Sequence, residues 1–224
     1  MPYGCWPFLL LLLFILLLPF FLADVMITAL GKLGLTPQQS ILAAMGIFIG
    51  GLINLPLTRL ERDQPVTEDI PGMFGIGPLN IGPQQRKTYT VISVNLGGCL
   101  IPTLLVIYEI QRLSNLNPSA LIAVIIAAAV NIGVCYKLAK PVPNKGIALP
   151  PLVPALLAAS MGIILNMEYA PAIAFVSGVM GPLVGADLLH LRDISKISTG
   201  MASIGGAGTF DSIVLSGILA TILA

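Results

Sequence analysis

Two aspartates stand inside the apolar C-terminal third of this 224-residue chain. Asp187 lies in Gly185-Ala186-Asp187-Leu188-Leu189. Asp211 closes Gly205-Gly206-Ala207-Gly208-Thr209-Phe210-Asp211 and runs straight into a last apolar stretch. A carboxylate at membrane depth costs about 2.5–3.5 kcal/mol on insertion scales, so an acid kept there marks function or a specific partner. Two carboxylates at one depth can bind a cation or relay a proton. They can also share a proton and activate a water for attack on a peptide carbonyl. A third reading is structural, with the acids tied to each other or to backbone amides and holding the last two spans together. The glycines between them disfavour continuous helix by about 1 kcal/mol each relative to alanine. Backbone left unpaired in lipid is tolerated only where protein shields it or where it lines a cavity. This stretch therefore predicts a broken, non-helical approach to the last span, with Thr209 as its N-cap and Asp211 in its first turn. A helix dipole favours negative charge at that position and opposes it at Asp187, near the C-terminal end of its own helix.

Three amides share a local pattern, Ile53-Asn54-Leu55, Val94-Asn95-Leu96 and Val130-Asn131-Ile132. Taken singly, each reads as interhelical glue, worth about 0.6 kcal/mol per contact. Counted along their spans at about 1.5 Å per residue, they fall at the level of the acids. Together they predict a polar cavity open to the cytoplasm. Asn54, Asn95 and Asn131 ring it, Asp187 and Asp211 sit in it, and Gly205, Gly206, Gly208 and Thr209 supply further binding groups.

The elements that must position these residues are membrane helices. The chain is 56% hydrophobic and 9% charged, against about 25% charged in soluble domains. Its mean hydropathy is +0.96. At about 20 apolar residues per crossing, seven segments emerge, roughly 6–23, 37–58, 89–110, 118–138, 150–166, 170–190 and 208–224. The expected fold is an all-α polytopic bundle in a single membrane domain, residues 1–224. Thr36-Pro37 and Asn117-Pro118 read as N-caps followed by proline at the first helical position. Lys140-Pro141-Val142-Pro143-Asn144-Lys145-Gly146 reads as a turn-rich linker. The run Trp6–Leu22 has no basic flank and no clean cleavage site, so it reads as a retained first span. Nine lysines and arginines fall in the connections on one side and two, Lys32 and Arg112, on the other. That bias places the N-terminus in the cytoplasm. The Gly/Pro-rich segment 60–87 then becomes a cytoplasmic loop.

Several classes are disfavoured. A net charge of +1 is no nucleic-acid footprint. Cys5, Cys99 and Cys135 sit in apolar runs and read as packing residues. No phosphate loop, dinucleotide fingerprint or Ser-His-Asp pattern appears, so no cofactor is expected. Asp187, His190 and Asp193 share a helical face, but a lone histidine at a membrane boundary reads as interfacial, and no metal is expected. The expected partners are the lipid bilayer and a small ion or membrane substrate.

Gly178-Val179-Met180-Gly181-Pro182-Leu183-Val184-Gly185-Ala186-Asp187-Leu188-Leu189, followed by Ser203-Ile204-Gly205-Gly206-Ala207-Gly208-Thr209-Phe210-Asp211, resembles the hallmark of domain-of-unknown-function family 1614. Val94-Asn95-Leu96-Gly97-Gly98 with Ile101-Pro102 fits the same family. The resemblance implies a polytopic protein of a bacterial or archaeal cell membrane and supplies no activity. A weaker likeness is to intramembrane aspartyl proteases of the presenilin and prepilin-peptidase type, with Asp187 matching the first acid and Asp211 the second. Here the glycine motif carries two extra residues before Asp211, and Ala186 stands where tyrosine is usual.

Overall fold

The computed structural model describes residues 6–61, 89–142, 146–194 and 201–224. The predicted loop 60–87 lies outside these residues except for its first two. In chain order the elements are α1 (Trp6–Lys32), α2 (Pro37–Gly50), β1 (Asn54–Glu61), β2 (Tyr89–Asn95), α3 (Ile101–Leu116), α4 (Pro118–Leu138), β3 (Lys140–Val142), β4 (Gly146–Ala148), α5 (Leu152–Leu165), α6 (Ala170–Met180), α7 (Leu191–Ile194), β5 (Met201–Ile204) and α8 (Ser212–Leu223). A π-helical turn, Leu96–Leu100, leads into α3, and a second π-helical stretch, Gly181–Leu188, continues α6.

The predicted helical bundle is present. Among the described residues, four helical rods are long and apolar enough to cross a membrane: Trp6–Lys32, Leu96–Leu116, Pro118–Leu138 and Met167–Asp193. α5 and α8 are apolar but shorter. At about 1.5 Å per residue they span roughly 20 Å of a hydrocarbon core about 30 Å thick. Both predicted caps form. Thr36 Oγ1 accepts from the Gln39 N–H at 3.3 Å while Gln39 Oε1 accepts from the Thr36 N–H at 2.9 Å, a complete capping box. Asn117 Oδ1 accepts from the Ser119 N–H at 3.1 Å.

The core sits around α6, where every residue from Ala172 to Val179 is buried. Lipid tails are as apolar as leucine, so helices in a membrane gain from close packing of small residues. A Cβ on Gly178 would come within 2.9 Å of the Ser216 carbonyl oxygen, and one on Gly162 within 2.6 Å of that of Ala170. These approaches draw α8 and α5 onto α6. By contrast, nearly all of α1 from Trp6 to Phe21 is exposed, as a lipid-facing helix would be.

A small sheet joins the helical bundle. β1 and β2 pair antiparallel, β2 and β5 pair parallel, and the order is β1-β2-β5. The second predicted span therefore ends at Gly50, and the first seven residues of the third are strand. Tyr89-Thr90-Val91-Ile92-Ser93-Val94 is rich in β-branched residues, which fit a pleated, half-buried surface. Pro56 has no N–H for a ladder, and the β1–β2 register slips between Pro56 and Thr58, on an edge strand where the loss is tolerated. In the predicted linker after α4, β3 pairs antiparallel with β4, and Pro143, Asn144 and Lys145 lie outside the described residues. Open strand edges are not stable in lipid, and β1 is exposed from Asn54 to Arg59. An exposed edge of this kind suits a water-facing end of a bundle.

Candidate functional site: an aspartate cavity beside the sheet

Prolines shape the two helices that bound the site. Pro102 and Pro182 lack the N–H that a regular turn needs. Around each, the backbone widens to π geometry: the Ile101 N–H reaches Leu96 O, and the Leu189 N–H reaches Val184 O at 3.0 Å. Such π segments recur at functional sites. Gly98, in the first of them, packs directly on the carbonyl of Gly205 just after β5, so any side chain there would overlap it. Gly205 itself holds φ +69°, a left-handed conformation that suits glycine.

Asn95 fastens this junction. Its side chain is fully buried. Its Nδ2 donates to the Gly51 carbonyl at 2.8 Å and to Asn54 Oδ1 at 3.1 Å, while its Oδ1 accepts from the Gly98 N–H at 2.6 Å. Asn54 Oδ1 also accepts from Ser203 Oγ at 2.6 Å. Asn54, Asn95 and Ser203 therefore link all three strands. One residue beyond β5, the Gly205 N–H donates to Asp187 Oδ2 at 3.3 Å.

Asp211 is the N-cap of α8. Its Oδ1 accepts from the Ile213 N–H at 3.0 Å and its Oδ2 from the Ala207 N–H at 3.3 Å. This corrects the expectation that Thr209 caps the helix and Asp211 lies in its first turn: a 3-10 turn, Gly208–Phe210, intervenes. The predicted break before the last span is present as this turn together with the glycine run. Asp187 and Asp211 are both half-buried and line one cavity of about 320 Å³, together with Ser203, Gly206 and Ser212. A larger and more apolar cavity of about 620 Å³ adjoins it, sharing Ile147, Ala207, Asp211 and Ser212 and reaching Lys140 and Phe210.

A family model described as "Protein of unknown function (DUF1614)" matches residues 48–223, which include both aspartates, Asn95 and the glycine run. The chain belongs to the DUF1614 family. No curated protein and no solved structure matches it, so the likeness to presenilin-type proteases gains no support from comparison.

In this DUF1614 chain the predicted residues divide into two groups. Asp187, Asp211 and Gly206 line the cavity, Gly205 is tied to it only through its N–H to Asp187, and Asn54 and Asn95 meet beside it. Gly208, at φ +60°, packs on Gly51, and Thr209 is buried in the 3-10 turn. Asn131 lies elsewhere, fully buried among α4, α5 and α6. Its Nδ2 donates to the Ser177 carbonyl at 2.9 Å and the Pro154 carbonyl at 3.2 Å. The three amides therefore do not form one ring. His190 Nδ1 faces the carbonyls of Gly185 and Ala186 at 3.1 and 3.0 Å, which makes it the protonated nitrogen, and the ring lies 4.8 Å from Tyr136. Two residues were missed from sequence. Ser203 opens the glycine-rich motif but carries no chemical signal of its own. Glu109 carries one: it is an acid within the predicted third span, three residues from Arg112.

Proposed function

We propose that the Asp187–Asp211 cavity binds a small cation or a proton and forms part of a transport path across a prokaryotic cell membrane. The observation that carries this reading is the shared cavity: two carboxylates from different helices face one half-buried space, each met by backbone N–H groups. Two like charges in a partly dehydrated space repel, and a bound cation or shared proton relieves that repulsion. Interrupted helices around the site suit a transporter, because broken spans expose backbone polar groups where a substrate can use them. Arg59, Lys137, Lys140 and Arg192 lie at the sheet end of the bundle, while Lys32 and Arg112 lie at the other. By the positive-inside bias, the cavity then opens to the cytoplasm.

The test is cation-dependent thermal stabilisation of the purified protein, at ionic strength held constant with an organic cation too large for the cavity. A ligand at a hundred times its Kd stabilises by about 2.7 kcal/mol. The wild type gains stability with one of protons, sodium, potassium or magnesium, and Asp187→Asn and Asp211→Asn lose that gain. Equal gains in all three proteins reject the site.

A second reading is peptide hydrolysis, with the two acids activating a water. It is favoured by β5, an edge strand whose Ala202, Ser203 and Ile204 line the same cavity. An extended segment added to that edge would lie beside both acids. Cleavage of reconstituted membrane peptides that survives both Asp→Asn changes would exclude it.

A further inference from the structure

Glu109 is a buried acid that the aspartate cavity does not use. It projects from α3 with its side chain fully buried, and its Oε2 pairs with Arg112 Nη1 at 2.8 Å. Its Oε1 is also buried and has no hydrogen-bond partner among the described residues. An unsatisfied buried acceptor is destabilising, the more so when charged, so packing alone gives no reason to keep a carboxylate here.

The surroundings make it more isolated still. α3 packs against its own π turn, α2, α4 and α6. Among those elements the titratable side chains are Cys99, Cys135, Tyr136 and Lys137. The last three lie in the final turn of α4, at the sheet end, where β3 follows. Arg112 is thus the one charged group in contact with Glu109 among the described residues. Arg112 in turn lies over Gly34 in the α1–α2 connector, where a Cβ would sit 3.1 Å from its guanidinium. The pair therefore joins a dry interior carboxyl to the surface opposite the sheet.

α3 connects this pair to the aspartates. Cys99, Pro102, Val106, Glu109 and Leu113 are all buried, at spacings of three and four that define one helix face. Next to Cys99, Gly98 packs on Gly205, whose N–H donates to Asp187. Glu109 lies ten residues beyond Cys99, about 15 Å along the helix.

We propose that Glu109 is a second protonation site of this protein, with Oε1 the atom that takes up the proton and Arg112 the link to the far surface. The site stands on its own geometry. Where the cation reading also holds, it supplies the far-side station of the same path.

The test uses dicyclohexylcarbodiimide on the full-length wild-type protein in lipid vesicles. A protonated carboxyl in an apolar setting adds across the carbodiimide: its proton passes to nitrogen, its oxygen bonds to the central carbon, and the adduct rearranges to a stable N-acylurea. Mass mapping is expected to find the adduct on Glu109, with the yield falling as pH rises. Asp187→Asn/Asp211→Asn keeps that adduct, and Glu109→Gln loses it. A Glu109 left unmodified at acidic and neutral pH alike, in protein that is otherwise folded, overturns the proposal. Because the wild type is the labelled species, a poorly folding variant cannot obscure the result. Adduct on Glu109 without cation binding at the aspartates would reject only the cation reading. Cation binding without the adduct would reject only this one.

Discussion

Gly205 donates its backbone N–H to Asp187 Oδ2 over 3.3 Å, and its own backbone lies against Gly98. One glycine therefore couples the first acid of the cavity to the turn that starts α3. A Cβ on Gly205 would stand 2.6 Å from the Gly98 carbonyl carbon in a left-handed conformation. We expect Gly205→Ala to cost at least about 1–3 kcal/mol from the backbone conformation alone. Gly133→Ala meets nothing within 4 Å and leaves stability unchanged or raises it by up to about 1 kcal/mol. Unfolding of the detergent-solubilised proteins ranks the two. Equal effects would show that the glycine junction is not packed as described.

Capping and charge can be separated at Asp211. Asparagine caps a helix about as well as aspartate, whereas alanine costs about 0.5–2 kcal/mol. Asp211→Asn keeps the bond from the Ile213 N–H and gives up the longer one from Ala207. It is expected to lose less stability than Asp211→Ala, while both abolish cation-induced stabilisation. If Asp211→Asn still responds to the cation as wild type does, the residue serves only as a cap.

Amide substitutions should sort by location. Asn131→Ala removes a donor from two buried carbonyls and is expected to cost about 1–3 kcal/mol without changing cation binding. Asn95→Ala is expected to cost at least as much and also to weaken binding, because it unties β1, β2 and the α3 turn together. Paired unfolding and binding titrations make the comparison. A binding loss confined to Asn131→Ala would reverse the assignment.

Access provides an independent check. In a background lacking Cys5, Cys99 and Cys135, both Asp187→Cys and Asp211→Cys should react with a membrane-impermeant thiol reagent added from the side that carries Arg59 and Lys140. Labelling of the two from opposite sides, or of neither, would remove the shared water-filled cavity.

How far the sequence reveals this site depends on which signal each residue leaves. Thr36-Pro37 and Asn117-Pro118 are legible because capping is local chemistry, decided within a few residues. The bundle is legible because apolar runs of the right length have few alternatives in lipid. The break before α8 follows from its glycines, but the length of the 3-10 turn depends on how Gly208 packs on Gly51, a tertiary contact. The strands were hidden for a related reason. Tyr89–Asn95 joins the apolar helix that follows without a polar boundary, and a short apolar run can be strand or helix by periodicity alone. Its pairing with β5 lies more than a hundred residues away. The same pairing decides the amides. Asn54 and Asn95 meet because both stand at strand ends in register, while Asn131, on a continuous helix, turns toward Ser177.

Gradient-driven uptake into proteoliposomes bears most directly on the Asp187–Asp211 cavity as part of a transport path. Wild-type protein is expected to move the cation that stabilises it down an imposed gradient, and Asp187→Asn and Asp211→Asn, folded and inserted equally well, are expected to fall to the rate of empty vesicles. Uptake by either variant at the wild-type rate would contradict the account.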